Sequence, residues 1–390
     1  MPMSSIYQFI IPALLAFLGT LWIHPKVLKI AIMKDLVDNP SARKLQRRPV
    51  PNMGGAAVFF GIIIGLCSSQ AMFNSPKAFM LMAAMLIMLY VGIMDDILSL
   101  TPTIRFAIEI LIICWLMYVN KASLNCFHGL WGIGYIPEYI SIPLTIFACV
   151  GIINAINLID GVNGLSSGFC FMASILFAVM FYHLDNTTMM VIAISAAGAI
   201  VPFFLHNVFG HNTRMFIGDS GTLVMGTMMS MFVISLLDKT PASFLLMHKG
   251  IGLIPFELAV LAIPVFDTLR VMSARILHGK SPFHPDKTHL HHMFIDLGFS
   301  HTGTTISILS LNFIIIATWF IAYKAGASID LQLYIVLSLS FIFTFGLYNF
   351  SKKQLEKNGV ALKVLQKIGK AVNIEKKGIW AIIQKGIDKI

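Results

Sequence analysis

Asn154-Ala155-Ile156-Asn157-Leu158-Ile159-Asp160-Gly161-Val162-Asn163-Gly164-Leu165 closes a long apolar run and sets polar side chains at three-residue intervals. On a helix, Asn154 and Asn157 are neighbours, and so are Asn157 and Asp160. Gly161 and Gly164 then break the helix. The pattern predicts a ladder of amides and a carboxylate at the mouth of a membrane helix. Asp160 falls at a helix C-terminus, where the macrodipole opposes a negative charge. A carboxylate placed against that preference needs a partner, such as a cation. The plainer reading is a helix-ending turn with polar caps, but caps rarely use four amides and acids.

Outward from this stretch the chain stays apolar. Of its 390 residues, 57% are hydrophobic and 12% charged, with a mean hydropathy of +0.81. That composition excludes an ordinary soluble domain and a nucleic-acid-binding protein. Recurrent apolar runs of about twenty residues predict an all-α fold, a polytopic transmembrane bundle. About eleven spans are expected, near 6–23, 54–73, 78–94, 104–119, 139–158, 164–182, 189–209, 217–237, 251–276, 304–323 and 331–350. The first run, Ile6 to Ile23, lacks a basic leader and a small-residue cleavage site and is read as a retained span. Five scattered cysteines, with no CxxC spacing, give no disulfide or zinc framework.

Lysine and arginine assign sides to these spans. Of 28 such residues, 23 fall in alternate connections, starting after the first span, and in the tail beyond 350. The positive-inside rule puts that set in the cytoplasm and the N-terminus outside. The domain reading is a transmembrane catalytic domain over 1–350 and a basic amphipathic cytoplasmic tail over 351–390. The tail intersperses lysines with Val364, Leu365, Ile368, Val372, Ile379, Trp380, Ile382 and Ile383, a pattern suited to the surface of the lipid bilayer. A solvated lysine tail that only fixes topology fits the same composition.

Every polar cluster lands on the basic side. Asp95 and Asp96 are adjacent carboxylates at the end of the third span, and acids at membrane depth mark function by default. Asp219 opens the eighth span between Gly218 and Gly221; it suits a helix N-cap as well as a loop that a phosphate approaches closely. Asp267 and Arg275 lie on the ninth span. A loop then carries His284, Asp286, Lys287, His289, His291 and His292. The histidine spacing allows zinc, but with oxygen-rich acids elsewhere and no cysteine nearby, Mg2+ fits better and the loop suits phosphate or sugar. Carboxylates with Mg2+, and cations around anionic oxygens, are what phosphoryl transfer needs. Charges gathered at one face argue against a transporter, which places ionisable groups at mid-membrane, commonly between repeated halves.

Five blocks, in order, resemble the polyprenyl-phosphate N-acetylhexosamine-1-phosphate transferases. They are Asp38-x-Pro40-x2-Arg43-Lys44 with Pro51-x2-Gly54-Gly55; Asp95-Asp96; Asn154-x2-Asn157-x2-Asp160-Gly161-x2-Gly164-Leu165; Gly218-Asp219-x-Gly221; and Ser281-Pro282-Phe283-x-Pro285-Asp286-x2-His289-x-His291-His292. The resemblance spans roughly residues 35–300 and is nearest to the bacterial undecaprenyl-phosphate GlcNAc-1-phosphate branch. It implies transfer of GlcNAc-1-phosphate from UDP-GlcNAc to undecaprenyl phosphate with release of UMP. It also implies a bacterial inner-membrane location, an active site facing the cytoplasm, and a role at the start of O-antigen or related cell-envelope glycan synthesis.

The resemblance further implies Mg2+ as cofactor, with Mn2+ as an alternative. It makes Asp219 the main metal ligand and Asn157 a second. Asp95, Asp96 and Asp160 become the catalytic acids. Arg43 and Lys44 become lipid-phosphate contacts. Phe216 is placed to stack on uracil, with Asn163 near that base. Asp267, Arg275, His284, Asp286, His289, His291 and His292 become the part that holds sugar and diphosphate. The chain departs from many bacterial members at Asn163, where they carry Asp, and at Gln46, where the family often has His. A peptidoglycan translocase acting on phospho-MurNAc-pentapeptide is the alternative within the family. The separated histidines His289-Leu290-His291-His292 favour the hexosamine branch. Both a homodimer and a monomer are compatible with the sequence.

Overall fold

The computed structural model describes residues 3–39, 49–238, 240–284, 286–373, 375 and 378–389. Arg43 and Lys44 lie outside the described residues. The fold is all-α, as the composition predicts. Among the described residues nine helices are long and apolar enough to cross a membrane, or ten if one bent pair counts as a span.

The order begins with α1 (Met3–Met33), a short paired stretch β1 (Val37–Asp38) and β2 (Val50–Pro51), α2 (Gly54–Leu66) and a single turn α3 (Gln70–Phe73). Spans α4 (Pro76–Leu98), α5 (Pro102–Asn120), α6 (Glu138–Leu158), α7 (Leu165–His183), α8 (Thr187–Phe209) and α9 (Gly218–Leu236) follow. Next come α10 (Pro241–His248), α11 (Leu253–Val260), α12 (Ala262–Leu277), α13 (Leu290–Asp296) and α14 (His301–Lys324). The last span starts as α15 (Ile329–Phe341) and passes through a π turn into α16 (Leu347–Lys357). The tail forms α17 (Val360–Val372) and α18 (Gly378–Ile387).

Two of the eleven expected spans take other forms. The run 54–73 makes only the 13 residues of α2, about 20 Å of helix against a hydrocarbon core of about 30 Å. The run 251–276 breaks at Leu261 between α11 and α12, just before Pro264, which has no N–H to donate to the carbonyl of Val260 in the preceding turn. Asn312 of α14 repairs the break. Its Oδ1 accepts from Ile263 N at 2.9 Å, and its Nδ2 donates to Val260 O at 3.0 Å. α10 and α11 meet at 91°.

α9 is the hub. Every side chain from Gly218 to Ile234 except that of Asp219 is buried, and α2, α4, α6 and α7 pack around it. Apolar side chains all round a helix are what a central position demands. Close approach comes from small residues: a Cβ on Gly55 would lie 2.1 Å from Gly221 N, so only glycine lets α2 meet the first turn of α9. Phe169, Phe177, Phe181 and Phe232 fill the adjoining core between α7 and α9.

Candidate active site

The deciding stretch splits as it leaves the membrane. α6 ends at Leu158, a turn carries residues 159–164, and α7 starts at Leu165 after Gly164 at φ +79°. Asn154 points into the bundle and donates to Glu109 and to Val150 O. Asn157 reaches the other way and donates to Asp219 and, at 2.8 Å, to Thr222 Oγ1. Asp160 accepts from Ser166 Oγ.

Asp219 is set by two neighbours. The short β pair delivers Asn52, and Phe216 is tied into the same strand-like run: Phe216 N donates to Pro51 O at 2.8 Å, and Gly54 N donates to Phe216 O at 2.9 Å. At the end of α4, Asp96 accepts from Asn52 Nδ2 at 2.8 Å, from Asp219 N at 2.9 Å and from Ser220 N at 3.1 Å. Asp96 therefore caps α9, where the helix dipole favours its charge. Gly218 stands between them at φ +71°, and a Cβ there would lie 2.6 Å from both Asn52 Oδ1 and Asp96 Oδ2. Glycine is required on both counts.

These groups line one cavity of about 310 Å3. Its walls bring together Asp96, Asn157, Asp160, Asn163, Phe216, Asp219 and His292, all singled out in the sequence. They also include Asp38, Asn52, Asn207 and His301. Burial pushes the Asp160 carboxyl up to about 7, with the charge of Asp219 adding to the rise against the Ser166 hydrogen bond. His292 is pushed down to about 4, first by burial and then by His289 and Lys287, so it is a neutral imidazole near pH 7.

Asp95 sits behind this wall. Its Oδ1 accepts from Leu100 N at 2.8 Å and its Oδ2 from Arg105 Nη1 at 3.0 Å. Arg105 also lies 4.0 Å from Asp219 Oδ1, and its Nε is 3.6 Å from Glu109 Oε1. One guanidinium thus joins three carboxylates on α4, α5 and α9.

The histidine loop is mostly braced outside the cavity. Asp267, buried on α12, accepts from Arg270 Nη2 at 2.6 Å, lies 3.0 Å from His289 Nδ1 and accepts from Leu290 N at 3.2 Å. Arg275 grips Asp286 with two nitrogens, at 2.8 and 3.0 Å, and donates to Pro282 O at 2.6 Å. Burial alone would raise Asp286, but the bonds from Arg275 and Thr288 outweigh it and hold the carboxyl well below the usual range. His291 lies against Gly161, and His284 is exposed at the surface of the loop. Of this group only His292 reaches the cavity wall.

Sequence reading missed Asn52, Asn207, His301 and the bridging role of Arg105. A signal existed for Asn207, a buried polar residue at the end of an apolar run. Its side chain accepts from Gly164 N at 2.6 Å and donates to Met215 O at 2.8 Å, stapling the turn after α6 to the approach to Phe216. Arg105 counted only as a topological charge.

The donor set fits a hard divalent cation. Asp219, Asp96, Asp160, Asn157 and Asn52 offer oxygen, and Asn52 Oδ1 is buried without a hydrogen-bond partner. Among the described residues no group of three His, Cys, Asp or Glu side chains is already gathered for a metal. Mg2+ does not require one, since it keeps water ligands and shares substrate phosphates.

Comparison with known proteins identifies the architecture. The profile described as Glycosyl transferase family 4 matches residues 78–237, from α4 to the end of α9. A probable undecaprenyl-phosphate N-acetylglucosaminyl 1-phosphate transferase of Bacillus subtilis is 29% identical over 338 residues, covering 85% of this chain and 89% of that protein. The undecaprenyl-phosphate alpha-N-acetylglucosaminyl 1-phosphate transferase of Salmonella typhi is 31% identical over 281 residues, 70% of this chain and 72% of that one. The decaprenyl-phosphate N-acetylglucosaminephosphotransferase of Mycolicibacterium smegmatis is 29% identical over 323 residues, 76% of each. With the site blocks gathered at one cavity and these relatives aligned along most of its length, the chain belongs to the polyprenyl-phosphate N-acetylhexosamine-1-phosphate transferases of glycosyl transferase family 4.

Proposed function

We propose that the chain transfers GlcNAc-1-phosphate from UDP-GlcNAc to undecaprenyl phosphate and releases UMP, at the cytoplasmic face of a bacterial inner membrane. The names of the relatives support the two substrates. The observation that carries the reading is the cavity itself: carboxylates, amides and an aromatic ring, Phe216, line one space. The ring suits a base, the amides its hydrogen-bonding edge, and the oxygen cluster a metal-bound diphosphate.

In this reading Asp219 and Asn157 hold Mg2+, which when bound neutralises the diphosphate charge. Asp96 and Asn52 fix Asp219. Arg105 offsets the charge of Asp95, Glu109 and Asp219. Asp160, whose carboxyl is pushed up to about 7, is in its ionised form the base that receives any proton left on the lipid phosphate. The lipid phosphate oxygen bonds to the sugar-linked phosphorus as the bond from that phosphorus to the UMP oxygen breaks. The lysine and arginine partition supports the cytoplasmic face. Service at the start of O-antigen or a related glycan is the downstream role we assign.

The test is to incubate purified protein with undecaprenyl phosphate and, separately, UDP-GlcNAc, UDP-GalNAc and UDP-MurNAc-pentapeptide, and to weigh the lipid product. We expect the mass of undecaprenyl-diphosphate-GlcNAc. A product only from the MurNAc donor, or UMP release that ignores the lipid phosphate, overturns the reading.

A further inference from the structure

The tail beyond the last span does more than carry lysines. Its helices fold back onto the bundle, α17 against α14 and α18 against α8, and bury Leu362, Trp380 and Ile387. Trp380 packs on Phe209 at the end of α8, ring centroids 4.5 Å apart. Two carboxylates then reach the segments that build the cavity.

Asp388 enters the loop that joins α8 to α9. Its Oδ1 accepts from three successive backbone nitrogens, His211 at 2.9 Å, Asn212 at 3.1 Å and Thr213 at 3.4 Å, and from Thr213 Oγ1 at 3.1 Å. Successive N–H groups converging on one oxygen form a concave anion seat. Thr213 is itself held from the far side, with His24 Nε2 3.0 Å from its carbonyl and His206 Nδ1 3.0 Å from its hydroxyl. Two residues on, Met215 O receives Asn207, and Phe216 follows. Both Asn207 and Phe216 line the cavity.

Glu375 does the same at a second segment that lines the cavity. It accepts from Thr302 N at 3.2 Å and Thr302 Oγ1 at 2.9 Å, in the first turn of α14. His301, one residue earlier, lines the cavity. Thr305, one turn later, donates to Asn163 O at 2.8 Å. The start of α14 therefore carries one wall residue and anchors another.

We propose that Glu375 and Asp388 are positioning residues, through which the tail clamps the two segments that present Phe216 with Asn207 and His301 with Asn163. The clamp rests on the functional reading above for its substrate: in that reading Phe216, Asn163 and Asn207 take the nucleotide end of the donor, and His301 lines the same cavity. A loosened clamp weakens capture of the UDP-sugar and leaves the lipid phosphate end alone. The tail lies outside residues 78–237, so this part of the site belongs to the chain and not to the shared profile.

The experiment uses the full chain with Asp388→Ala, Glu375→Ala and the double substitution, and with Asp388→Asn and Glu375→Gln, which keep one accepting oxygen, as the conservative variants that should restore much of the loss. Kinetics should show KM for UDP-GlcNAc rising about tenfold in the double variant, the scale of a lost set of charge-assisted hydrogen bonds, with kcat and KM for undecaprenyl phosphate unchanged. Hydrogen exchange of the same proteins should quicken at the amides of 211–213 and 302–303 while α2 and α9 stay protected. Unchanged donor KM overturns the clamp, and so does unchanged exchange. Equal loss in both substrates and in kcat also overturns it, because that marks general destabilisation. If the wild-type chain makes no GlcNAc lipid at all, the functional reading fails by itself. The exchange measurement then still decides the clamp.

Discussion

The Asp96 carboxylate holds the first turn of the helix that carries Asp219, accepting the backbone N–H groups of Asp219 and Ser220 at 2.9 and 3.1 Å. The second acid of the Asp95-Asp96 pair is thus engaged on both oxygens, with Asn52 as a third donor. Asp96→Asn keeps one accepting oxygen but turns an amide toward an N–H donor, so the helix forms while Asp219 moves. We expect the Mg2+ concentration for half-activation to rise roughly 10- to 100-fold, as for other groups that orient a metal ligand. The measurement is a Mg2+ titration of turnover. Lost turnover with unchanged Mg2+ dependence would make Asp96 a reacting group instead.

Arg105 separates stability from chemistry. Its side chain is 20% exposed and faces Asp95 and Glu109, which are 8% and 1% exposed. Removing one partner of a buried ion pair costs roughly 3–5 kcal/mol, because the remaining charge is stranded, whereas apolar replacement of both is often neutral. Arg105→Leu should therefore unfold markedly earlier in a detergent melt, and Arg105→Leu with Glu109→Leu should recover part of that loss. A double variant no better than the single one would show that the Glu109 pairing carries none of the cost.

The fold was legible where the physics is local. Apolar runs located helices because a bilayer allows few alternatives. The two runs that took other forms depend on partners the sequence does not place: Asn312 mends the break beside Pro264 from a helix about fifty residues away. The site blocks were legible by type, and Asn157, Asp160, Asn163, Phe216 and Asp219 converge on one cavity. What could not be read was which polar group faces which. Asn154 and Asn157 share one spacing, yet one bonds Glu109 inside the bundle and the other Asp219 at the mouth. Asp267, Arg275 and Asp286 carry the charges of a substrate loop but pair with each other or with neighbours. The tail's apolar spacing suggested a bilayer; Leu362, Trp380 and Ile387 bury against the bundle, while Val364, Ile368, Ile382 and Ile383 stay exposed.

We expect turnover to depend on a metal, on grounds of charge. A diphosphate beside Asp96, Asp160 and Asp219 would be repelled without a cation between them. Asp219→Ala should abolish Mg2+-dependent turnover while the protein still folds, since Asp96 keeps the N–H of residue 219 and the cap survives. Chelation of the wild-type enzyme should do the same reversibly. Near wild-type activity of Asp219→Ala at ordinary Mg2+ would leave Asp219 as part of the helix end alone.

The chemical route is the remaining choice, and the geometry favours one step. A two-step path needs a carboxylate free to attack phosphorus and carry an acyl phosphate. Asp95 is committed to Leu100 N and Arg105, and Asp96 to three N–H donors. A carboxylate that already accepts hydrogen bonds on both oxygens is a weakened nucleophile. The lipid phosphate is already largely ionised near pH 7, so it needs positioning and charge neutralisation more than activation, and these do most of the work in phosphoryl transfer. We expect no exchange between labelled UMP and UDP-GlcNAc in protein stripped of polyprenyl phosphate. Robust exchange without lipid, lost in Asp95→Asn or Asp96→Asn, would establish a covalent intermediate and remove the one-step route.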